Sequence, residues 1–147
     1  MKKGILYIIA SILLISVIAF GDSEDLSTLC EELLIKRAEA WNKIFTEDYN
    51  YEMFYDDMNA IASGKLLEED LETFIYLKEY PTDMERVISL DFTWQRIEKI
   101  GSNAVLEGKI LWNLEGQESF ESMEGYYRIE MMKHKGNWYL LDFQPIE

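Results

Sequence analysis

Ala104-Val105-Leu106-Glu107-Gly108-Lys109-Ile110-Leu111-Trp112-Asn113-Leu114 alternates apolar with mostly polar residues over its whole length. Ala104, Leu106, Gly108, Ile110, Trp112 and Leu114 share one phase, and Val105, Glu107, Lys109, Leu111 and Asn113 the other. Successive strand side chains point to opposite faces, so the pattern predicts a strand with one buried and one mostly wet face. The run is about twice the usual ~5–6 residues, and so long a strand stays in a small domain only by twisting or bending. Gly108 is the natural place for a bend or bulge.

The flanks repeat the signal. Ile88, Leu90, Phe92 and Trp94 alternate with Ser89, Asp91, Thr93 and Gln95, and a phase change to Ile97 and Ile100 predicts a bulge near Arg96. Gly101-Ser102-Asn103 is turn chemistry. Phe120 to Lys133 places Met123, Tyr127, Ile129 and Met131 on one face. His134-Lys135-Gly136-Asn137 reads as a short hairpin loop, and Trp138 to Phe143 as a closing strand ended by Pro145. Connections this short require an antiparallel meander.

Upstream, the periodicity changes to three and four. Leu26, Leu29, Cys30, Leu33, Leu34, Trp41, Ile44 and Phe45 form the apolar stripe of a helix from Glu24 to about Phe45, with Ser23 as its expected cap. A second helix is expected over Tyr51–Ala62, with Phe54, Met58 and Ile61 inward and Gly64 just past its end. A third spans Leu67–Tyr80, with Leu71, Phe74 and Leu77 or Lys78 along one side, stopped by Pro81. Thr82-Asp83-Met84-Glu85 fits a capping box that starts one more helical turn. Helices followed by strands predict an α+β domain, with the N-terminal helices on one face of a curved, mainly antiparallel four-stranded sheet.

Met1-Lys2-Lys3 precedes Gly4–Gly21, a stretch with no charged residue. Its length lies between a secretory signal core of ~7–15 residues and a spanning helix of roughly 17–25. Both a signal cleaved after Gly21 and an uncleaved anchor fit, and either exports residues 22–147 as a single domain. The expected location is therefore extracytoplasmic, secreted or N-terminally anchored, with membrane contact only through residues 1–21 if these are retained. All 28 acidic residues follow Gly21. Setting Lys2 and Lys3 aside leaves 12 basic residues against them, a formal charge of −16 on the exported part. Such a surface repels nucleic acid and anionic lipid. Cys30 is the only cysteine, so no internal disulfide forms, and its helical spacing makes it a small buried apolar group.

Arg37-Ala38-Glu39-Ala40-Trp41-Asn42 resembles the opening helix of the NTF2-like (SnoaL-like, cystatin-like α+β) superfamily, and Gly136-Asn137-Trp138-Tyr139-Leu140-Leu141-Asp142-Phe143 resembles its final strand. The resemblance implies a long first helix lying in the concavity of a bent sheet, with a conical cavity near the open end. Relatives with this shape serve as enzymes, binding domains and assembly modules, so the fold alone selects no activity. Dehydratase and cyclase members use a pocket histidine. The one histidine here, His134, falls in the hairpin loop, and with Cys30 it is too little for a zinc site. Isomerase members use Tyr and Asp in the cavity. Trp41 or Ile44 occupies the position where a pocket tyrosine is expected. Asp48-Tyr49-Asn50-Tyr51-Glu52 lacks the glycine and the bidentate glutamate of a calcium loop.

No cofactor, metal or catalytic residue is assigned. Candidate pocket residues are Trp41, Tyr51, Tyr55, Trp94, Trp112, Tyr127 and Asp142, the last because it shares the phase of Trp138 and Leu140. Asp57, beside Asp56, reads as solvent-facing. The expectation is a non-enzymatic domain binding a protein partner or a small apolar ligand through a cavity or sheet face, possible as a homodimer. A pocket enzyme using Asp and Tyr, and an acidic neutraliser of a basic partner, are the alternatives. The binding reading expects an apolar patch on the outer sheet face around Val105 and Leu111, or at the cavity mouth.

Overall fold

The computed structural model describes residues 22–80, 84–116 and 118–147. The leader at 1–21, the Pro81 stop and half of the expected capping box lie outside them. Three helices precede the sheet: α1 (Asp22–Asn42, continued by a 3-10 turn Lys43–Phe45), α2 (Tyr51–Asn59) and α3 (Gly64–Glu79). The strands are β1 (Arg86–Ile100), β2 (Asn103–Glu115), β3 (Phe120–His134) and β4 (Asn137–Pro145). They form one curved, unclosed antiparallel meander in the order β1-β2-β3-β4.

Boundaries differ from expectation at several points. Ser23 lies inside α1 instead of ahead of it. Gly64 (φ 58°) is the first residue of α3, where its left-handed backbone redirects the chain into the helix. Met84 and Glu85 are not helical, so no fourth helical turn includes them. The expected slip near Arg96 is present, between Trp94 and Arg96, and a second lies between Val87 and Ser89. Lys135 (φ 49°) and Gly136 (φ 83°) make a two-residue hairpin turn, and His134 beside it is exposed.

The core lies between α1, the other helices and the concave sheet face. Leu26, Cys30, Leu33 and Leu34 of α1 meet Ala104, Leu106, Ile110, Ile129, Met131 and Leu140 of the sheet, while Phe54, Met58 and Phe74 close it from α2 and α3. Each of the leucine, isoleucine, methionine and phenylalanine side chains contributes roughly 1.5–3 kcal/mol by leaving water. Phe45, expected on the α1 stripe, is exposed because the 3-10 turn ends the helical phase before it. Met123 has the inward phase but is exposed, because β4 covers β3 only from Tyr127 onwards.

Two polar clamps set α1 on β1. The Trp94 indole N–H donates to Glu31 (2.7 Å). The Asn42 amide group donates to the Val87 carbonyl (2.8 Å) and accepts from its N–H (2.9 Å), pairing with the strand edge as a backbone would. Cys30 is fully buried, and burial raises its thiol well above the ordinary range. It should react with a disulfide reagent only as fast as the protein unfolds. A rapid reaction of the native protein would contradict this packing.

Candidate functional site

The concave face carries an aromatic group at its open end. Register places Trp112 opposite Met123 and Leu90, and Ile129 opposite Phe143. The Tyr127 and Phe143 rings stack at 4.7 Å, and Trp112 stands edge-on to both at 6.0 and 6.1 Å. Arg37 of α1 lies over Phe143, its guanidinium carbon 5.3 Å from the ring centre. The same guanidinium donates through Nε and Nη2 to both carboxylate oxygens of Asp70 on α3 (2.8 and 2.7 Å). Arg37, Trp41, Leu66, Asp70, Thr73 and Phe143 border an open hollow of about 360 Å3 between these elements.

The buried carboxylate of this hollow is held in an ion pair. Asp70 is the one buried charged residue among the described residues, and both of its oxygens are occupied by a permanent cation. The Trp112 indole N–H is buried without a partner, but an indole only donates. A tyrosine–carboxylate pair exists elsewhere: Tyr49 donates to Asp57 (2.7 Å), which also accepts from Lys43 (2.7 Å). The Lys43 and Tyr49 bonds hold the Asp57 carboxyl below its usual range, and burial, with Asp57 next to it, pushes the Tyr49 hydroxyl up. Both shifts oppose proton transfer at neutral pH. Asp57 is thus a partly covered structural anchor, not simply solvent-facing. No three His, Cys, Asp or Glu side chains among the described residues are placed to share a cation.

The seven candidate pocket residues do not converge. Trp41 borders the hollow and meets Phe54 edge-on at 4.8 Å; Trp112 and Tyr127 form its aromatic neighbourhood. Trp94 faces inward but lies over Gly108 and is spent on Glu31. Asp142 is on the other face: the register slips after Leu140, so Leu141 is the extra residue and Asp142 pairs with Glu130. There it accepts from Gln144 (2.7 Å), with Lys65 at 3.6 Å.

Tyr51 and Tyr55 are exposed along α2 and line no part of the concave hollow, and Tyr51 borders a second, outer depression. Tyr51 lines it, and Tyr55 follows one turn later on the same side. This depression, about 500 Å3, lies between the loop that enters α2 and the C-terminal half of α3 and is also lined by Tyr49, Phe74, Ile75 and Lys78. Beside it Ile75, Tyr76 and Tyr80 are each more than half exposed, with Tyr76 and Tyr80 in ring contact at 5.3 Å. Glu47 and Glu79 line the depression too, and neither has an ion-pair partner among the described residues.

The outer sheet face offers no comparable surface. Val105 lies between Glu98 and Glu130, and Leu111 between Asp91 and Glu124. Arg96 pairs with Glu98 and with Glu107, Arg128 with Glu130, and Lys109 with Glu124, while Asn113, Ser89 and Ser122 share hydrogen bonds. The apolar patch expected around Val105 and Leu111 is therefore two separate side chains in a charged lattice.

Arg37–Asp70 was not expected as a pair. One signal existed: Leu66, Asp70 and Phe74 recur at four-residue spacing, so a carboxylate interrupts the buried stripe of α3 and requires a partner.

No family model matches the chain, and no curated protein matches it. Solved structures do. A designed NTF2-type protein superimposes with a TM-score of 0.51 at 14% identity, covering 85% of this chain and 100% of its own. The intermembrane space region of the chloroplast protein ARC6 gives 0.51 at 14% identity, covering 85% of this chain and 96% of that one. An NTF-2 like protein of unknown function from Shewanella oneidensis MR-1 gives 0.48 at 20% identity, over 82% and 98%. The chain has an NTF2-like α+β fold.

Proposed function

We propose that this chain is a non-catalytic, extracytoplasmic binding domain that takes a protein segment on the outer face of α2 and α3. The observation that carries the reading is the exposed set Tyr51, Ile75, Tyr76 and Tyr80 at an open groove whose lining includes Glu47 and Glu79, neither in an ion pair among the described residues. The one cation of the lining, Lys78, is turned to the Thr46 carbonyl and the Phe74 ring. Aromatic and aliphatic side chains supply contact area at low entropic cost, and unpaired rim carboxylates favour a partner with Lys or Arg. The matching ligand is an amphipathic, basic segment of a protein. The concave hollow supports this role indirectly, because its one buried carboxylate is neutralised and its rings pack on one another. Export rests on Met1-Lys2-Lys3 and the uncharged Gly4–Gly21 stretch, and ARC6 offers a precedent for this fold in an intermembrane space. N-terminal sequencing of the exported protein distinguishes cleavage after Gly21 from a retained anchor.

The test is a titration of the isotope-labelled protein with two helical peptides, one of leucine and lysine and one of leucine and glutamate. The basic peptide is expected to move the amide signals of residues 49–55 and 72–80 and to weaken with added salt. Reversing Glu47 and Glu79 to lysine should weaken it about tenfold, at up to ~1 kcal/mol per rim charge. The same change in charge at Glu115 and Glu121, which lie on β2 and β3 and do not line the groove, should leave affinity within about twofold. Equal binding of the acidic peptide, or shifts scattered over the whole surface, would sink the reading.

A further inference from the structure

We infer that the uncovered half of the β3 edge, Phe120–Gly125, pairs with the same segment of a second copy of this chain. β3 runs from Phe120 to His134, but β4 lies beside it only from Tyr127 onwards. Beyond that, the Ile146 N–H donates to the Tyr126 carbonyl (2.8 Å), so the Tyr126 main chain points toward the β4 side. Pro145, which has no N–H, stands opposite Tyr127 at the position that needs none. Main-chain groups alternate sides along a strand, so Glu124, Ser122 and Phe120 turn their N–H and C=O groups toward that same side. No strand among the described residues receives them.

The opposite edge of the sheet is blunted, and the contrast is informative. On β1 the Asn42 amide occupies both main-chain groups of Val87, and two register slips kink the strand. Such devices keep an edge from templating another strand. The β3 segment has no bulge, proline or lysine, and it exposes Phe120 (78%) and Met123 (54%).

The segment is also complementary to itself. A two-fold axis through Ser122 sets Phe120 against the partner's Glu124 and Met123 against the partner's Glu121, so no acid directly faces an acid. Three bonded pairs, centred on Ser122, give up to six main-chain hydrogen bonds. The Ser122 hydroxyl does not obstruct them, since it is turned to Asn113 of its own chain (2.7 Å). The joint is small, in the class of transient contacts below ~1,200 Å2. Because both copies are acidic, salt should strengthen the association.

Sedimentation equilibrium of the intact chain, up to about 1 mM and at low and high salt, reads the effect. The expected result is a mass rising from monomer toward dimer with concentration, more steeply at high salt. Ser122→Pro removes an outward N–H that β2 does not use, and it should raise the concentration needed for dimer at least tenfold, with an unchanged near-ultraviolet dichroism spectrum. Ser122→Ala keeps the N–H and should dimerise as the parent does. A constant monomer mass overturns the inference, and so does association that Ser122→Pro leaves unchanged, which would assign it to another surface or to residues 1–21.

Discussion

Asp70→Ala should destabilise the domain by about 3 kcal/mol, at the lower end of what breaking a buried ion pair costs. In a domain of this size that is roughly 12 °C in melting temperature, at ~4 °C per kcal/mol. Removing the carboxylate leaves the Arg37 guanidinium, whose side chain is only 17% exposed, against the Phe143 ring with two donors unpaired. A cation so placed loses its counter-charge and meets too little water to replace the lost fork. Replacing both partners by apolar groups, Arg37→Met with Asp70→Leu, should recover most of the loss, because a pair that must be desolvated is no more stable than well-packed hydrocarbon. Urea melts of the four proteins in this cycle yield the coupling directly. If Asp70→Ala lies within about 0.5 kcal/mol of the parent, the pair is not closed off from solvent and the hollow beside it is wetter than its geometry implies.

This pair also marks the limit of what local pattern reveals. Alternation made the four strands legible, since each residue's face follows from its neighbours two positions away. Helical spacing likewise exposed the α1 stripe. Asp70 interrupts the apolar stripe of α3, but its partner Arg37 is 33 residues away on a helix that meets α3 only in the folded domain, so the stripe signals a need without naming what fills it. Asp142 failed for a different reason. Its phase relative to Leu140 is correct for a regular strand, but one extra residue at Leu141 sends everything after it to the opposite face. Tyr51 and Tyr55 illustrate a third kind of blindness: an aromatic on a short helix serves a core or a docking face equally well, and only the placement of Phe54 and Met58 inward leaves the tyrosines outside. The candidate site therefore moved from the concavity to the helical face, while the fold expected from the strand run stood.

Gly108 is where strand pattern and packing meet most sharply, and Gly108→Ala should cost about 3 kcal/mol, the upper part of the range for overpacking. A Cβ there would lie 2.6 Å from the Thr93 carbonyl oxygen and 3.0 Å from both the Trp94 Cα and its ring. Two of those three atoms are backbone of the paired strand, so relief requires β1 to move away from β2. That movement carries the Trp94 indole with it and breaks its bond to Glu31, loosening α1 from the sheet. Gly125 is the informative comparison, because its added Cβ would first meet the Tyr127 side chain, at 2.9 Å, and a side chain can swing aside. Gly125→Ala should therefore cost less, about 1 kcal/mol, and reveal itself as a loosened Tyr127–Phe143 stack. The indole N–H proton resonance of Trp94 separates the two cases, since only Gly108→Ala should move it through the lost Glu31 bond. Equal stability of both variants would mean that Trp94 does not rest on Gly108, and the clamp that seats α1 in the sheet's concavity would have to be sought elsewhere.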